Sequence, residues 1–351
     1  MAGRERWGLR GNVHTCKLER TASLRGCSAD ACETREWSDS TTAAFRPNGG
    51  MAWHSYRNHD SPEGITTFEY DDAGRLVSIR NESAGALVGL TLHEYDPAGR
   101  LARVLYRPQT GSERITESYE YASTGRKKKT QYADLTAQGR SANYAWSIEG
   151  TDAAYSAPGA VAVSTYYNER EQPTEVHFLD TAGRPVSRVD LRYDEAGRLV
   201  AEAQTHSDEA LPPEMLASFN EAQRETVRAI FGGGKFVQRT HRYGDQGRRI
   251  ETRWEMGPLG SDVKKMAYNE HGDLIEEIHE REEREFGMDD QGQLSAMPVK
   301  ERAIRSEVRI RYEYDVHGNW VLKTVESRGG KEQNFTVASV ERRTLTYFEP
   351  R

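Results

Sequence analysis

The chain has 351 residues, of which 36% are apolar and 29% charged, and its 55 acids and 48 bases leave a net charge of −7. So low an apolar share excludes a thick multilayered core, while 17 Tyr and 6 Trp exclude disorder; a broad sheet with one wet face fits both. No unopposed block of positive charge calls for nucleic acid, and no apolar run reaches the ~18 residues of a membrane helix, so neither is expected as a partner.

The opening MAGRERWGLRG lacks the apolar middle segment of a signal peptide, which leaves the compartment open between the cytoplasm and an exported mature form. Cys16, Cys27 and Cys32 follow. An odd count without Cys-x-x-Cys predicts no zinc or redox centre. Two readings remain for Cys27 and Cys32: a bond within a loop, or free inert thiols. Residues 1–44 are expected as N-terminal strands around that cysteine-containing loop.

From Phe45 onward one unit recurs. FRPNGG (Phe45–Gly50) is an eroded copy, and FEYDDAGRLV (Phe68–Val77), HEYDPAGRLA (His93–Ala102), LRYDEAGRLV (Leu191–Val200) and YEYDVHGNWV (Tyr312–Val321) are near-copies of one another. The turn glycines are Gly74, Gly99, Gly125, Gly183, Gly197, Gly247, Gly272, Gly292 and Gly318, and four of the eight spacings between neighbours are 25 or 26 residues. Such a period suits two strands and two turns. Four residues before the glycine stands Tyr70, Tyr95, Tyr121, Tyr193, Tyr243, Tyr268 or Tyr314. Next comes Asp71, Asp96, Asp180, Asp194, Asp289 or Asp315, whose carboxylate caps a type I turn. The glycine supplies a left-handed residue at a bulge, and usually an Arg and an apolar residue follow. Along each copy apolar residues alternate with charged ones, the mark of a sheet with one buried face. Gly183 and Gly197 are only 14 residues apart. One strand must therefore link two turns at opposite ends of the meander.

Between Tyr193 and Tyr243 an insert, 208–235, carries Pro212, Pro213 and Glu214 ahead of an apolar stripe at helical spacing and ends at Gly232–Gly234. This pattern predicts an α-helix near 212–231 that packs on the sheet or plugs an open end. The acid-rich run 273–285 reads as a solvated strand pair. His93, His177 and His241 share one repeat position and hence one predicted dry face, but on separate hairpins they do not suggest a metal site. His271 and His317 fall within turns and are expected to be solvated. The repeated Asp residues are explained as turn caps, and neither His-Glu-x-x-His nor Gly-x-Ser-x-Gly occurs. No catalytic residue, metal or cofactor is predicted.

These copies resemble the YD repeats (Tyr-Asp repeats) of bacterial RHS-type proteins, which also occur in insecticidal toxin-complex subunits and animal teneurins. The likeness runs from about Phe45 to the C-terminus, and WGLRGNVHTCKLER looks like the first strand of small stand-alone members. It implies an all-β fold: a long curled antiparallel sheet of tandem hairpins in a single domain, 1–351, interrupted by the helical insert. In large members the sheet wraps a toxic cargo. This chain lacks the Asp-Pro-x-Gly-Leu-type cleavage signature and is too short to enclose a folded domain. The resemblance also suggests an exported or cell-surface protein. The expected function is a non-enzymatic binding or scaffolding module for a protein or glycan, with Tyr70, Tyr95, Tyr193, Tyr243, Tyr314, Trp320, His93, His177 and His241 as the candidate surface. The alternatives are a cargo-free accessory, chaperone or immunity factor and, third, a hydrolase.

Overall fold

Each Asp-x-x-Gly copy closes a hairpin in the same way. At residues 71–75 the Asp71 N–H donates to the Arg75 carbonyl and the Gly74 N–H to the Asp71 carbonyl, both at 2.9 Å. Asp71 Oδ1 accepts the Arg75 N–H at 2.8 Å, and Oδ2 takes the Arg75 guanidinium at 2.8 and 2.7 Å. Gly74 sits at φ 78°, where a side chain costs about 1–2 kcal/mol, and the ladder slips by one residue between Glu69 and Tyr70. The same backbone bonds recur at 96–100, 180–184, 194–198, 244–248, 269–273 and 315–319. Gly99, Gly183, Gly197, Gly247, Gly272 and Gly318 all adopt φ between 70° and 89°. The eroded copy does likewise, with Arg46 and Gly50 paired at 2.7 Å.

One turn escapes a search by glycine. At 168–172 Asn168 takes the aspartate's place, its Oδ1 accepting the Gln172 N–H at 3.0 Å, and Glu171 holds the left-handed position at φ 57°. Asparagine supplies the same acceptor as aspartate, so the cap survives although the glycine does not.

The computed structural model describes all residues except 1–2, 28–31, 59, 124–126, 134–144, 152–153, 158, 207–234, 256–259, 286–299, 331, 333 and 350–351. The strands are β1 (Val13–Cys27), β2 (Cys32–Phe45), β3 (Met51–Asn58), β4 (Gly64–Tyr70), β5 (Leu76–Ser83), β6 (Ala86–Tyr95), β7 (Leu101–Pro108), β8 (Arg114–Tyr121), β9 (Lys127–Tyr132), β10 (Ala145–Ser147) and β11 (Ala154–Ser156). They continue as β12 (Ala162–Tyr167), β13 (Pro173–Leu179), β14 (Pro185–Tyr193), β15 (Leu199–His206), β16 (Lys235–Tyr243), β17 (Arg249–Glu255), β18 (Gly260–Tyr268), β19 (Leu274–Glu285), β20 (Lys300–Tyr314), β21 (Trp320–Gly329) and β22 (Thr336–Tyr347). Twenty of them form one antiparallel sheet in which each strand pairs with its neighbour in sequence. The exception is β9, which pairs with β12 while β10 and β11 form a small separate ladder.

The sheet closes. β22 pairs with β1 from Val13 opposite Tyr347 to Ala22 opposite Ser339, so the expected curled sheet is a 20-stranded barrel with no free edge. The predicted helix near 212–231 lies outside the described residues, as do its insert 208–235 except Lys235, which opens β16, and Gly125, Asp289, Gly292 and the side chains of Cys27 and Cys32. The run 273–285 is the single strand β19 rather than a strand pair. Its charges are met across the ladder, by Lys264 and Lys265 from β18 and by Arg305 and Arg309 from β20.

Strand direction places all but one of the described glycine-type turns at one rim, together with the N- and C-terminal ends of β1 and β22. The turn at 180–184 lies at the other rim, so β14 is the strand that links two turns 14 residues apart. Several strands bury one face more than the other. On β1 the more buried face carries Cys16, Leu18, Arg20 and Ala22; on β20 it carries Ile304, Ser306, Val308, Ile310 and Tyr312. Curvature crowds side chains on the concave side, so this face is the lumen. Two pieces pack against it. The 3-10 turn Arg4–Trp7 lies over Val13, Cys16, Phe45 and Met51. The β10–β11 ladder puts Trp146 and Tyr155 against Val163, Val176, Phe178 and Val189.

Consecutive hairpins are tied along the turn rim by the tyrosines. Tyr70, Tyr95, Tyr121, Tyr193, Tyr243 and Tyr268 each end a strand, and each O–H donates to the carbonyl that opens the neighbouring strand. The acceptors are Met51, Leu76, Leu101, Pro173, Leu199 and Arg249, at 2.7–2.9 Å. Over the rings lie arginines of the preceding turn: Arg75 on Tyr95 at 4.5 Å, Arg100 on Tyr121 at 4.3 Å and Arg198 on Tyr243 at 4.8 Å. The Asp–Arg pair of one turn thus holds a cation over the tyrosine of the next.

Removing that hydroxyl alone, in Tyr95→Phe, leaves the Leu76 carbonyl without its donor and is expected to cost about 1 kcal/mol. Urea unfolding should show a lowered midpoint with an unchanged slope; an unshifted midpoint would remove the tie from the account. A second prediction concerns acid. Backbone N–H donation, with guanidinium hydrogen bonds, holds the carboxyls of Asp71, Asp96, Asp180 and Asp194 below the usual value. A folded pKa below the unfolded ~3.9 gives stability that is complete above that value and fades as pH falls through it. Wild-type stability should therefore drop below about pH 4. The fourfold Asp→Asn variant should be less stable at neutral pH and flatter in acid, and a wild-type profile level from neutral pH to 3 would refute the assignment.

Candidate functional site

The nine candidate residues do not converge. Tyr70, Tyr95, Tyr193 and Tyr243 are half-buried in the rim ties, and burial pushes the Tyr193 phenol up to about 12. Tyr314 donates to Asp273 Oδ2 at 2.7 Å and accepts from Asn269 Nδ2 at 2.8 Å. Trp320 lies beneath the Arg343 guanidinium at 3.6 Å. His177 sits on the outer face, because Val176 and Phe178 take the lumenal positions of β13, and its Nε2 pairs with Glu175. The dry face predicted for it was phased from Gly183, whose turn lies at the opposite rim. His93 and His241 do face the lumen, on β6 and β16, eight strand positions apart around the barrel. Among the described residues no three His, Cys, Asp or Glu side chains are grouped to hold a metal.

His271 and His317 stack on tyrosines, His317 exposed and His271 partly so. In those two turns the residue after the glycine is Asp273 or Asn319 instead of Arg. The imidazole before the glycine takes over the next tyrosine, His271 on Tyr314 and His317 on Tyr347, each at 4.2 Å.

A cavity of about 550 Å³ opens on the lumenal face beside β10. Its polar wall comes from Thr91, His93, Glu117 and Gln131, its apolar wall from Ile79, Val104 and Trp146, and Arg114, Thr116 and Ser147 complete the rim. Glu117 is clamped: Gln131 Nε2 donates to Oε1 at 3.1 Å, Lys129 Nζ lies 2.9 Å from it, and the Tyr119 O–H donates to Oε2 at 2.6 Å. Burial lowers the His93 pKa against the pull of Glu117, so the imidazole is neutral at neutral pH. Its Nδ1 is buried without a hydrogen-bond partner among the described residues. Such a nitrogen costs about 1–3 kcal/mol unless something meets it. Two residues before Thr91 on the same strand, Gly89 leaves room for the Tyr106 ring, since a Cβ there would stand 2.4 Å from the Tyr106 hydroxyl.

A second polar group lies further round the lumen. Glu202 of β15 is 3% exposed; its Oε2 accepts from Arg239 Nη1 at 2.9 Å and its Oε1 lies 2.7 Å from His241 Nε2. His241 is 1% exposed, and its Nδ1 is 3.0 Å from Thr252 Oγ1. Arg239 stacks on Trp254 at 4.7 Å and reaches the Tyr155 hydroxyl at 3.2 Å. Only His241 of this group carried a signal in the sequence, because Glu202, Arg239 and Thr252 belong to no motif and meet solely through ladder register.

No protein-family model matches the chain, and no curated protein matches it. Among solved structures it is similar to a chain in the crystal structure of TcdB2–TccC3–Cdc42, at 11% identity and a TM-score of 0.34, over 92% of this chain and 18% of that one. A porin-like protein from Bacteroides uniformis matches at 7% identity and a TM-score of 0.31, over 96% of this chain and 99% of that one. A chain of TcdB2–TccC3–TEV matches at 14% identity and a TM-score of 0.20, over 91% and 19%. The present chain thus spans about a fifth of the length of the TcdB2–TccC3 chains it resembles.

Proposed function

We propose that the protein is a binding barrel of the YD-repeat type, one that carries no folded cargo and takes a hydroxylated ligand of the glycan class into its lumen. The observation that supports this most is the 550 Å³ cavity with its unpartnered His93 Nδ1. That neutral imidazole offers a lone pair or an N–H according to tautomer, Glu117 accepts, and Gln131 and Thr91 add donors and acceptors, the mixture sugar hydroxyls require. Ile79, Val104 and Trp146 supply an apolar side against which a sugar's C–H face rests. A barrel of twenty strands is too wide for its own side chains to fill, so space for a ligand comes with the architecture.

The barrel works in water under this reading. Its outer face carries charges at mid-strand, among them Lys265, Glu280 and Arg305 in one chain of ion pairs and Arg188 with Asp190 in another. Facing lipid, each buried cation would cost about 2–4 kcal/mol at the bilayer midplane.

A glycan array followed by titration calorimetry on the strongest hit tests the proposal. Binding should weaken about tenfold in His93→Ala and in Gln131→Ala, the loss of one hydrogen bond each, with thermal stability retained. Unchanged affinity in both variants moves the ligand elsewhere. A blank array, with a protein recovered instead, favours the scaffold reading over the glycan one.

A further inference from the structure

We propose that Thr252, His241 and Glu202 form an acyl-transfer centre that hydrolyses a small ester within the lumen. This is independent of the ligand site at His93: absence of esterase activity leaves that site untouched, and absence of glycan binding leaves this one.

The hydrogen bonds set the roles. Glu202 accepts from Arg239 Nη1 with one oxygen and faces His241 Nε2 with the other. The tautomer that the reaction uses carries its proton on Nε2, against Glu202. Its Nδ1 lone pair then faces Thr252 Oγ1 at 3.0 Å and accepts the Thr252 hydroxyl proton. Nucleophile, base and orienting acid stand in the order that activates a hydroxyl. Burial follows the same order. Glu202 and His241 are sealed at 3% and 1% exposure, and Thr252 is half-buried. Register holds them in place: Thr252 is the direct cross-strand partner of His241, and Glu202 opposes Arg239, two residues before His241 on β16.

Two neighbours suit the reaction. Lys264 is the cross-strand partner of Thr252 on its other side, is 42% exposed and is paired with Glu277 Oε1 at 3.1 Å. Directly opposed side chains lie about 4.5–5.5 Å apart at Cβ, within reach of a carbonyl oxygen that gains charge. The Trp254 Nε1–H, two residues along the same face, is buried without a hydrogen-bond partner among the described residues.

Thr252 Oγ attacks the ester carbonyl carbon while Nδ1 takes the hydroxyl proton. The tetrahedral intermediate collapses, and the alkoxide leaves with that proton as the alcohol. Water then attacks the acyl–threonine ester and gives one proton to Nδ1, which returns it to Thr252 Oγ. One ester and one water become one acid and one alcohol, with no change of oxidation state.

Purified full-length protein is mixed with p-nitrophenyl acetate. Nitrophenolate release is followed by absorbance, and the protein is mapped by peptide mass spectrometry after rapid acid quench. The expected result is turnover with one acetyl group on the peptide carrying Thr252. Both should be lost in Thr252→Val, which keeps the shape and removes the hydroxyl, and kept in Thr252→Ser. His241→Gln should lower turnover at least a hundredfold, the scale of general-base assistance. A purely structural network would show no acetyl on Thr252 and equal release from wild type and Thr252→Val, and either finding overturns the proposal. Thr252 lies at the edge of the network, so its variants keep the test valid if His241→Gln fails to fold.

Discussion

The tyrosine hydroxyl that reaches the first carbonyl of the neighbouring strand is the contact on which the barrel depends. An isolated two-stranded hairpin is marginal in water, and a series of them linked by loose far turns has no reason to choose one curvature. Tyr95 fixes the height of β6 against β5 through Leu76, and Arg75 covers the ring from the turn that precedes it. The cation is itself held by Asp71, which also caps its own turn. Turn geometry, ion pair and stacking are thus one device in which each copy orients its successor. Repetition then yields constant curvature, because every step makes the same angle with the last.

Closure needs the final step to meet the first, and there the device changes. The last two turns of the rim replace arginine by Asp273 and Asn319. Their histidines do the stacking, Asp273 takes the Tyr314 hydroxyl, and Asn319 binds the N-terminal segment. Asn319 Oδ1 accepts the Arg10 N–H at 2.6 Å, and its Nδ2 donates to the Arg10 carbonyl and the Tyr347 hydroxyl, both at 2.9 Å. Arg10 Nη2 donates to the His271 carbonyl at 2.6 Å. The residues that break the repeat are the ones that fasten the seam.

The repeat was legible because it is local: Asp, Gly and Arg at fixed offsets state a turn whatever surrounds them. Its pairing order and the role of β14 followed from spacing alone. Closure could not be read, since it depends on the sum of small curvatures over twenty strands and on a seam joining β1 to β22. The turn at 168–172 was hidden for the opposite reason. Its neighbours tolerate a left-handed Glu171, so the glycine signal was never required. The phase error at His177 arose because copies on the two rims were aligned as though they faced the same way. Glu202, Arg239 and Thr252 carried no signal because strand register, rather than spacing, brings them together.

The lumen poses a different energetic question from the rim. Outer-face ion pairs such as Lys265–Glu280 are solvated and contribute little, whereas Glu202 and Arg239 give up water almost completely. A well-packed apolar pair in their place would commonly be as stable or more so. Nor does the ladder need them: the β14–β15 and β15–β16 registers are already set by continuous backbone pairing and by apolar neighbours such as Val189 and Leu191. A one-residue slip of any one of β15, β16 and β17 would turn its own members of the group outward, away from the others, so what the register preserves is their mutual approach. Charge buried at a cost, oriented in full and placed beside a half-buried hydroxyl is better explained by chemistry in the lumen than by stability of the wall.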